Sequence, residues 1–419
     1  MAAFPTFLLP MRDDLLIIGA GPSGLCMASA LAGSGYSITL LEQGDAAALA
    51  TPADDGREIA LTHASRASLE ALGLWDGFQT EEIAPLQRAV VIDGDDRDGL
   101  RFDAPDSADK PLGWLVPHHA IRRCAYARAI VNPELRLIGG ARVVGLRSDP
   151  DATHVRLDDG REFSARLVVA ADNRFSTCRR AMGIAADQHD FGKVMIVVKV
   201  RHERPHEATA REWFRYGQTL ALLPLHDAHT ASAVLTLHPA EAAAFMARPA
   251  SEQARELEQR FDQRLGAMQV LAAAHAYPLV GVYARRFIGP RFALVGDAAV
   301  GMHPVTAHGF NFGLASAQRL ARLLREAHRK GGDPGDARLL ARYERGHRLA
   351  TAPLYTATRL VVDLFTDDRR PSRMLRKAVL GAAARLPGFR QLVAHGLVDR
   401  GGGFREGVDR WITRRARWT

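Results

Sequence analysis

Apolar and polar positions fall into blocks whose period changes along the chain. From Asp14 the run DLLIIGAGPSGLCMASALAGSGYSITLLEQ reads as an apolar strand, a glycine turn, a helix of small residues and a second apolar strand ending in an acid. That spacing predicts a βαβ unit of about 30 residues. A polar stretch, TPADDGREIALTHAS, precedes a short helix at RASLEALGLW, and alternation around RAVVID predicts sheet. HHAIRRCAYARAI has helical spacing, whereas LRLIGGARVVGLRSD and HVRLDDGREFSARLVVAADN predict strands, the latter folded back at Asp159-Gly160. Residues 190–280 alternate in strand fashion around one helical insertion, AEAAAFMARPASEQARELEQRF, and predict a second, sheet-based domain. Beyond a junction at residues 296–313 the chain turns helical and basic. With no repeat and no low-complexity linker, the domains are expected to interleave.

Composition narrows the class. A chain of 419 residues, 47% hydrophobic and 24% charged, has the make-up of a globular protein with two or three domains. The first 14 residues lack a basic n-region, so no cleavable signal fits and a cytoplasmic location is expected. The longest uncharged run, Leu265 to Ala284, contains Gln269, His275, Pro278 and Gly281 and reads as a helix end, a turn and a strand. Cys26, Cys124 and Cys178 are too scattered for zinc or a disulfide framework and are expected as small core residues; no metal site is expected. A net charge of +8 suits an anionic partner without choosing one. The basic residues lack interleaved aromatics, which argues against nucleic acid.

Gly19, Gly21 and Gly24 match G-x-G-x-x-G between the first strand and first helix. The first glycine permits the tight turn, the second lets a pyrophosphate reach the backbone, and the third lets helix and strand pack closely. The helix N-terminus offers free N–H groups to phosphate. Glu42, 18 residues past Gly24, is placed to accept hydrogen bonds from a ribose diol. Such a unit suits NAD or FAD, and GDAAVGMHPVTAHGFNFG, Gly296 to Gly313, favours FAD. The apolar run RFALVGD ends in Asp297, an acid suited to ribityl hydroxyls. The glycines let backbone pass a flat ring, and a helix starting near Asn311 directs its N-terminus at the ring's pyrimidine edge.

GAGPSG with LLE, DGREIAL, AADNRFSTCRRAMGI and LVGDAAVGMHPVTAHGFNFG together resemble the single-component class A FAD aromatic hydroxylases. Within these the chain is similar to the ubiquinone-biosynthesis hydroxylases, and most to the broad-specificity subgroup acting on demethoxyubiquinol-type rings. The resemblance runs from residue 14 to about 400. It implies an α/β fold: a Rossmann-like FAD-binding domain (1–75, 115–185 and 281–335) interleaved with a β-sheet substrate domain (76–114 and 186–280), then a helical region at 336–419. It places Arg57 near the flavin, Asp297 on ribityl, Pro304 beside the isoalloxazine, and Asp172 in a motif tied to flavin and nicotinamide. Gly309 and Asn311 belong to the cofactor-binding junction. The chain departs from the family at Asn173, a glycine elsewhere; at His118, which replaces Asn or Gln with Arg122 one turn on; at Val300, often His; and at His308, commonly Gln.

The implied reaction is hydroxylation of a polyprenylated phenol or quinol with O2, through a flavin C4a-hydroperoxide, NAD(P)H docking transiently as electron donor. His308 and, in competition, His303 are the candidate proton acceptors, with Pro304 alongside. The alternatives are another flavin reaction, such as reduction of a polyprenyl group, or a non-catalytic flavoprotein scaffold among other ubiquinone-biosynthesis proteins. From Arg385 to Thr419 eight arginines face three acids, with Phe389, Leu392, Val393 and Leu397 on one helical face. This segment suits either an anionic membrane surface or packing on the protein's own core.

Overall fold

In the computed structural model, residues 12–94, 99–104, 110–215, 217–303 and 308–366 are described. Pro304 and the basic segment from Arg385 lie outside them. The glycine-rich beginning folds as its spacing predicts: strand Arg12–Ile18, helix Pro22–Ala30 and strand Ile38–Leu41, the two strands parallel and paired from Leu15↔Ile38 to Ile18↔Leu41. Leu15, Leu16 and Ile17 are wholly buried, as a strand covered on both faces requires. Around them an eight-stranded sheet runs Ile288–Gly289, Phe292–Leu294, Glu162–Ala170, Arg12–Ile18, Ile38–Leu41, Leu135–Ile138, with the antiparallel strands Thr153–Leu157 and Val143–Ser148 leading off Glu162–Ala170. Gly160, at φ +86°, turns the predicted Asp-Gly hairpin.

The second sheet has nine strands in the order Val300–Gly301, His275–Ala284, Ala186–His202, Thr230–Leu237, Gln218–Pro224, Thr209–Arg215, Arg88–Asp93, Leu100–Asp103, with Met268–Val270 beside Ala186–His202. One face packs Trp213, Leu220, Leu222 and Leu235 on Phe245 and Phe261 of an outer helical layer. The sequence predicted a single helical insertion there. Two helices form instead, Pro239–Met246 and Ala250–Arg260, because Pro249 cannot continue the first and caps the second. The uncharged run of residues 265–284 does not open on a helix end: the helix stops at Arg260, Asp262 and Gln263 take left-handed φ, and strands follow.

Several chain segments tie the sheets together. Phe292–Leu294 belongs to the first sheet, yet Val300–Gly301, a few residues on, pairs with Val282 and Tyr283 in the second. A small sheet, Glu58–Leu61, Gly113–Pro117 and Ala84–Leu86, spans the gap. Helix Gly309–Arg329 packs on Pro22–Ala30, where Tyr36 Oη donates to the Leu324 carbonyl at 3.0 Å. Helix Ala337–Thr366 then crosses to contact strand Thr209–Arg215. Among the described residues no helix is long and apolar enough to cross a membrane. Cys26, Cys124 and Cys178 are buried thiols.

Candidate functional site

The three fingerprint glycines do different things. Gly19 sits at φ +102°, where a side chain is strained and a Cβ would press on the Ala171 carbonyl. A Cβ on Gly24 would overlap the Gly19 carbonyl oxygen, so helix and turn meet only because it is absent. Gly21 faces open space with nothing within 4 Å, an approach path for a pyrophosphate at the mouth of helix Pro22–Ala30. Glu42 lies one residue past strand Ile38–Leu41. Its carboxylate accepts from the Ala20 N–H at 2.7 Å and the Gly44 N–H at 2.9 Å, which fixes it beside the turn and leaves lone pairs for a ribose diol.

The late junction closes onto this turn. Ser23 Oγ occupies the space that a Cβ on Gly296 or Gly313 would need, so the first helix touches both ends of the junction. The chain leaves Phe292–Leu294, turns at Gly296 (φ +62°) and carries Asp297 in a single 3-10 turn. Asp297 Oδ2 accepts from Arg174 Nη2 at 3.0 Å, while Arg174 Nη1 donates to the Val280 carbonyl. Arg179, 1% exposed, donates to the Ala298 carbonyl at 2.8 Å and the Arg174 carbonyl at 3.1 Å, bracing both. Asp172, at the end of Glu162–Ala170, accepts from the Cys178 N–H through Oδ2, and its buried Oδ1 has no partner among the described residues. Asn311 donates from Nδ2 to the Ala60 carbonyl at 2.8 Å and accepts from the Thr62 N–H, pinning the start of Gly309–Arg329 to strand Glu58–Leu61. Gly309, in the first turn, is open.

The two candidate bases differ. His303 is buried against the edge of Phe191, ring centroids 4.6 Å apart. Burial, with Arg174 and His189 adding to it, pushes its pKa down to about 3, so it stays neutral and is poorly matched to accepting a proton near pH 7. His308 is also buried and stands at the position just before helix Gly309–Arg329, its ring 5.8 Å from that of Phe312.

A charged cluster unites Arg57 and His118 through a residue the sequence reading passed over. Asp55 Oδ2 accepts from Arg57 Nη2 at 2.6 Å and lies 2.7 Å from His118 Nδ1. Burial alone would raise the Asp55 pKa, but hydrogen bonds from His118 and Arg57 outweigh it and hold the carboxyl well below its usual range. His118 is depressed chiefly by burial, with Arg57 and Arg122 contributing. Tyr277 donates to the Asp55 carbonyl at 2.6 Å and lies under Arg57, 5.1 Å from guanidinium carbon to ring centroid. Glu58, half-buried beside Arg57, is pushed up to about 8 by burial, Lys199 opposing and Asp54, Asp55 and Glu82 reinforcing. His202, His206 and His229 cluster, the rings of the latter two with centroids 5.7 and 6.2 Å from that of His202. Among the described residues no group of three or more His, Cys, Asp or Glu side chains is set to hold a metal.

Open backbone at Gly21, an unpartnered buried oxygen on Asp172, and acids at both Glu42 and Asp297 fit a dinucleotide whose flavin end reaches the junction. The model of the FAD binding domain family matches residues 12–356. The ubiquinone hydroxylase UbiM of Neisseria meningitidis is 41% identical over 92% of this chain and 85% of its own length; the ubiquinone hydroxylase UbiL of Rhodospirillum rubrum is 36% identical over 90% and 88%. Among solved structures, p-nitrophenol 4-monooxygenase from Pseudomonas putida superposes with a TM-score of 0.74 at 18% identity, over 93% of this chain and 99% of that one, a likeness of fold. With the glycine turn, the Asp297 junction and these relatives in agreement, the chain belongs to the FAD-binding ubiquinone hydroxylases, a family of flavin-dependent monooxygenases.

Proposed function

We propose that the protein hydroxylates the aromatic ring of a polyprenylated, demethoxyubiquinol-type precursor, using O2 and NAD(P)H. The observation that carries this reading is the contact of Ser23 with both Gly296 and Gly313, which brings the phosphate turn and the Asp297 junction into one site between the two sheets. A 27% identical relative, a 3-demethoxyubiquinol 3-hydroxylase of Escherichia coli, supports the substrate class. Gly19, Gly21, Gly24 and Glu42 would hold the ADP half, Asp297 and Asp172 the ribityl side, and Arg57, His118 and Arg122 the flank. Gly309 and Asn311 set the helix end that favours negative charge on a reduced ring. The bound flavin supplies electron transfer and oxygen activation. The protein's own share is to orient the substrate ring, keep water out and take the phenol proton, for which His308 suits the task better than His303. The FAD-binding part is proposed to comprise 1–75, 115–185 and 281–335, the substrate part 76–114 and 186–280. The basic run from Arg385 is proposed to rest on anionic lipid, where a polyprenylated substrate resides.

The test is product mass. Flavin-loaded protein given NAD(P)H, O2 and a short-tailed demethoxyubiquinol should yield a product heavier by one oxygen, derived from labelled O2. NAD(P)H consumption giving only a reduced side chain, or no product, would refute the reading. His308→Gln should lose the acidic limb of the rate profile while His303→Gln keeps it, with product and NAD(P)H counted separately.

A further inference from the structure

The two faces of the nine-stranded sheet have different companions. Trp213, Leu220, Leu222 and Leu235 point to the outer helices. Alternation then sends Glu212, Ala221 and Val234 to the opposite face. Register confirms the row: Val91 pairs with Glu212, Glu212 with Ala221, Ala221 with Val234, and Val234 with Val197. Val197 packs with Met195, Phe191 and Tyr277, and Val197 also lies beside Gly56. Tyr277 holds Asp55 and Arg57, and Phe191 meets His303. The Val197 end of this face therefore borders the proposed flavin site. From Val197 to Glu212 is three strand spacings of about 4.8 Å, about 14 Å in all.

We infer that Glu212 seats the hydroxyl of the substrate's aromatic ring, acting as a positioning residue in the middle of an apolar sheet face. The inference rests on the hydroxylase reading and adds to it the residue that recognises the phenol. Every neighbour of Glu212 in its row is apolar. Two polar neighbours further along this face, Thr219 and Thr236, already satisfy each other at 2.8 Å. The Glu212 carboxyl has no such partner among the described residues; burial is the one influence on it and pushes its pKa up to about 8. It is nevertheless only half-buried, so part of the side chain is open to a ligand. A carboxyl without a partner in apolar surroundings is costly unless a ligand completes it. A hydroxyl on a flat apolar ring supplies both the missing hydrogen bond and the matching apolar surface.

The experiment measures binding of 2-methoxyphenol and of methoxybenzene, which lacks the hydroxyl, to full-length FAD-loaded protein by intrinsic fluorescence, alongside product formed per NAD(P)H consumed. Wild type should prefer the phenol on the order of tenfold, the value of one hydrogen bond to a chargeable group. Glu212→Leu should keep its FAD, lose that preference and uncouple NAD(P)H consumption from hydroxylation; Glu212→Gln, which keeps shape and hydrogen bonding, should restore both. If Glu212→Leu fails to retain FAD, Glu212→Ser takes its place with the same expectation. Equal preference and coupling in wild type and the substituted protein, or no phenol preference in wild type, overturns the inference. Loss of the preference in a protein that makes no hydroxylated product overturns the hydroxylase reading and leaves the binding role standing.

Discussion

Replacing Arg179 by methionine tests whether the junction is braced from beneath. The Arg179 guanidinium, 1% exposed, is the donor to the Ala298 and Arg174 carbonyls. Methionine preserves most of the stem and removes both donors. Each of the two buried carbonyls left without its partner costs about 1–3 kcal/mol, and apolar packing of the new side chain returns about 1 kcal/mol, for a net loss of roughly 1–5 kcal/mol. That is a large share of a typical stability of about 5–15 kcal/mol. Because Ala298 follows Asp297, and Arg174 is the partner of Asp297, the slackening falls on the acid proposed to hold the ribityl chain. If about 1.4 kcal/mol of the loss is felt locally, FAD affinity drops about tenfold. Thermal unfolding of the apoprotein and FAD titration by fluorescence quenching measure the two effects. Arg180→Met is the control, since Arg180 is exposed and gives one bond to the Phe175 carbonyl; its effect should stay within about 0.5 kcal/mol. If Arg179→Met matches Arg180→Met in both measurements, the brace does not exist.

Asp297→Ala should lose FAD on desalting while Asp187→Ala, whose exposed ion pair with Arg285 lies outside the site, stays yellow; equal retention would count against a ribityl role. Asp55 has a folded pKa below its unfolded value of about 3.9, so its stabilising contribution is complete above that pH and disappears as pH falls toward the depressed value. Wild type should therefore exceed Asp55→Asn in stability at neutral pH by a margin that shrinks in acid, and a pH-independent margin in urea melts would contradict the cluster. Glu58 is displaced the other way, so its cost grows as pH rises from about 4.3 to about 8 and then levels. Glu58→Gln should gain stability over wild type, on the order of 3–4 kcal/mol at neutral pH, and little below pH 4; a gain that is flat with pH would show the carboxyl to be unperturbed.

Local signals were legible where one residue type has one physical use. Gly19 and Gly24 announce a turn and a close approach because no other residue fits there, and HHAIRRCAYARAI forms helix His118–Ile130 at its predicted bounds. The second sheet was legible as alternation, but its strand order was not, since period 2 says which residues share a face and nothing of which strand lies next. Asp55 and Tyr277 escaped notice for that reason: they are 222 residues apart and meet only once the sheets close. Glu212 carries no signal of its own in the sequence, because an alternating strand with one face on a helical layer is expected to show the other to water. Arg179 stood in a run of basic residues, and nothing in the run distinguishes the buried one from its exposed neighbour.

The wedge of Ser23 between Gly296 and Gly313 also sets a clock on biosynthesis. The phosphate turn leaves the ribosome early, but the junction that completes it is made nearly three hundred residues later, so a growing chain carries half a binding site for most of its synthesis. Closing so long a loop costs only slowly increasing entropy, yet contacts this distant delay folding. Flavin capture then reports that synthesis has passed Gly313, and chains truncated before it should leave the cell colourless.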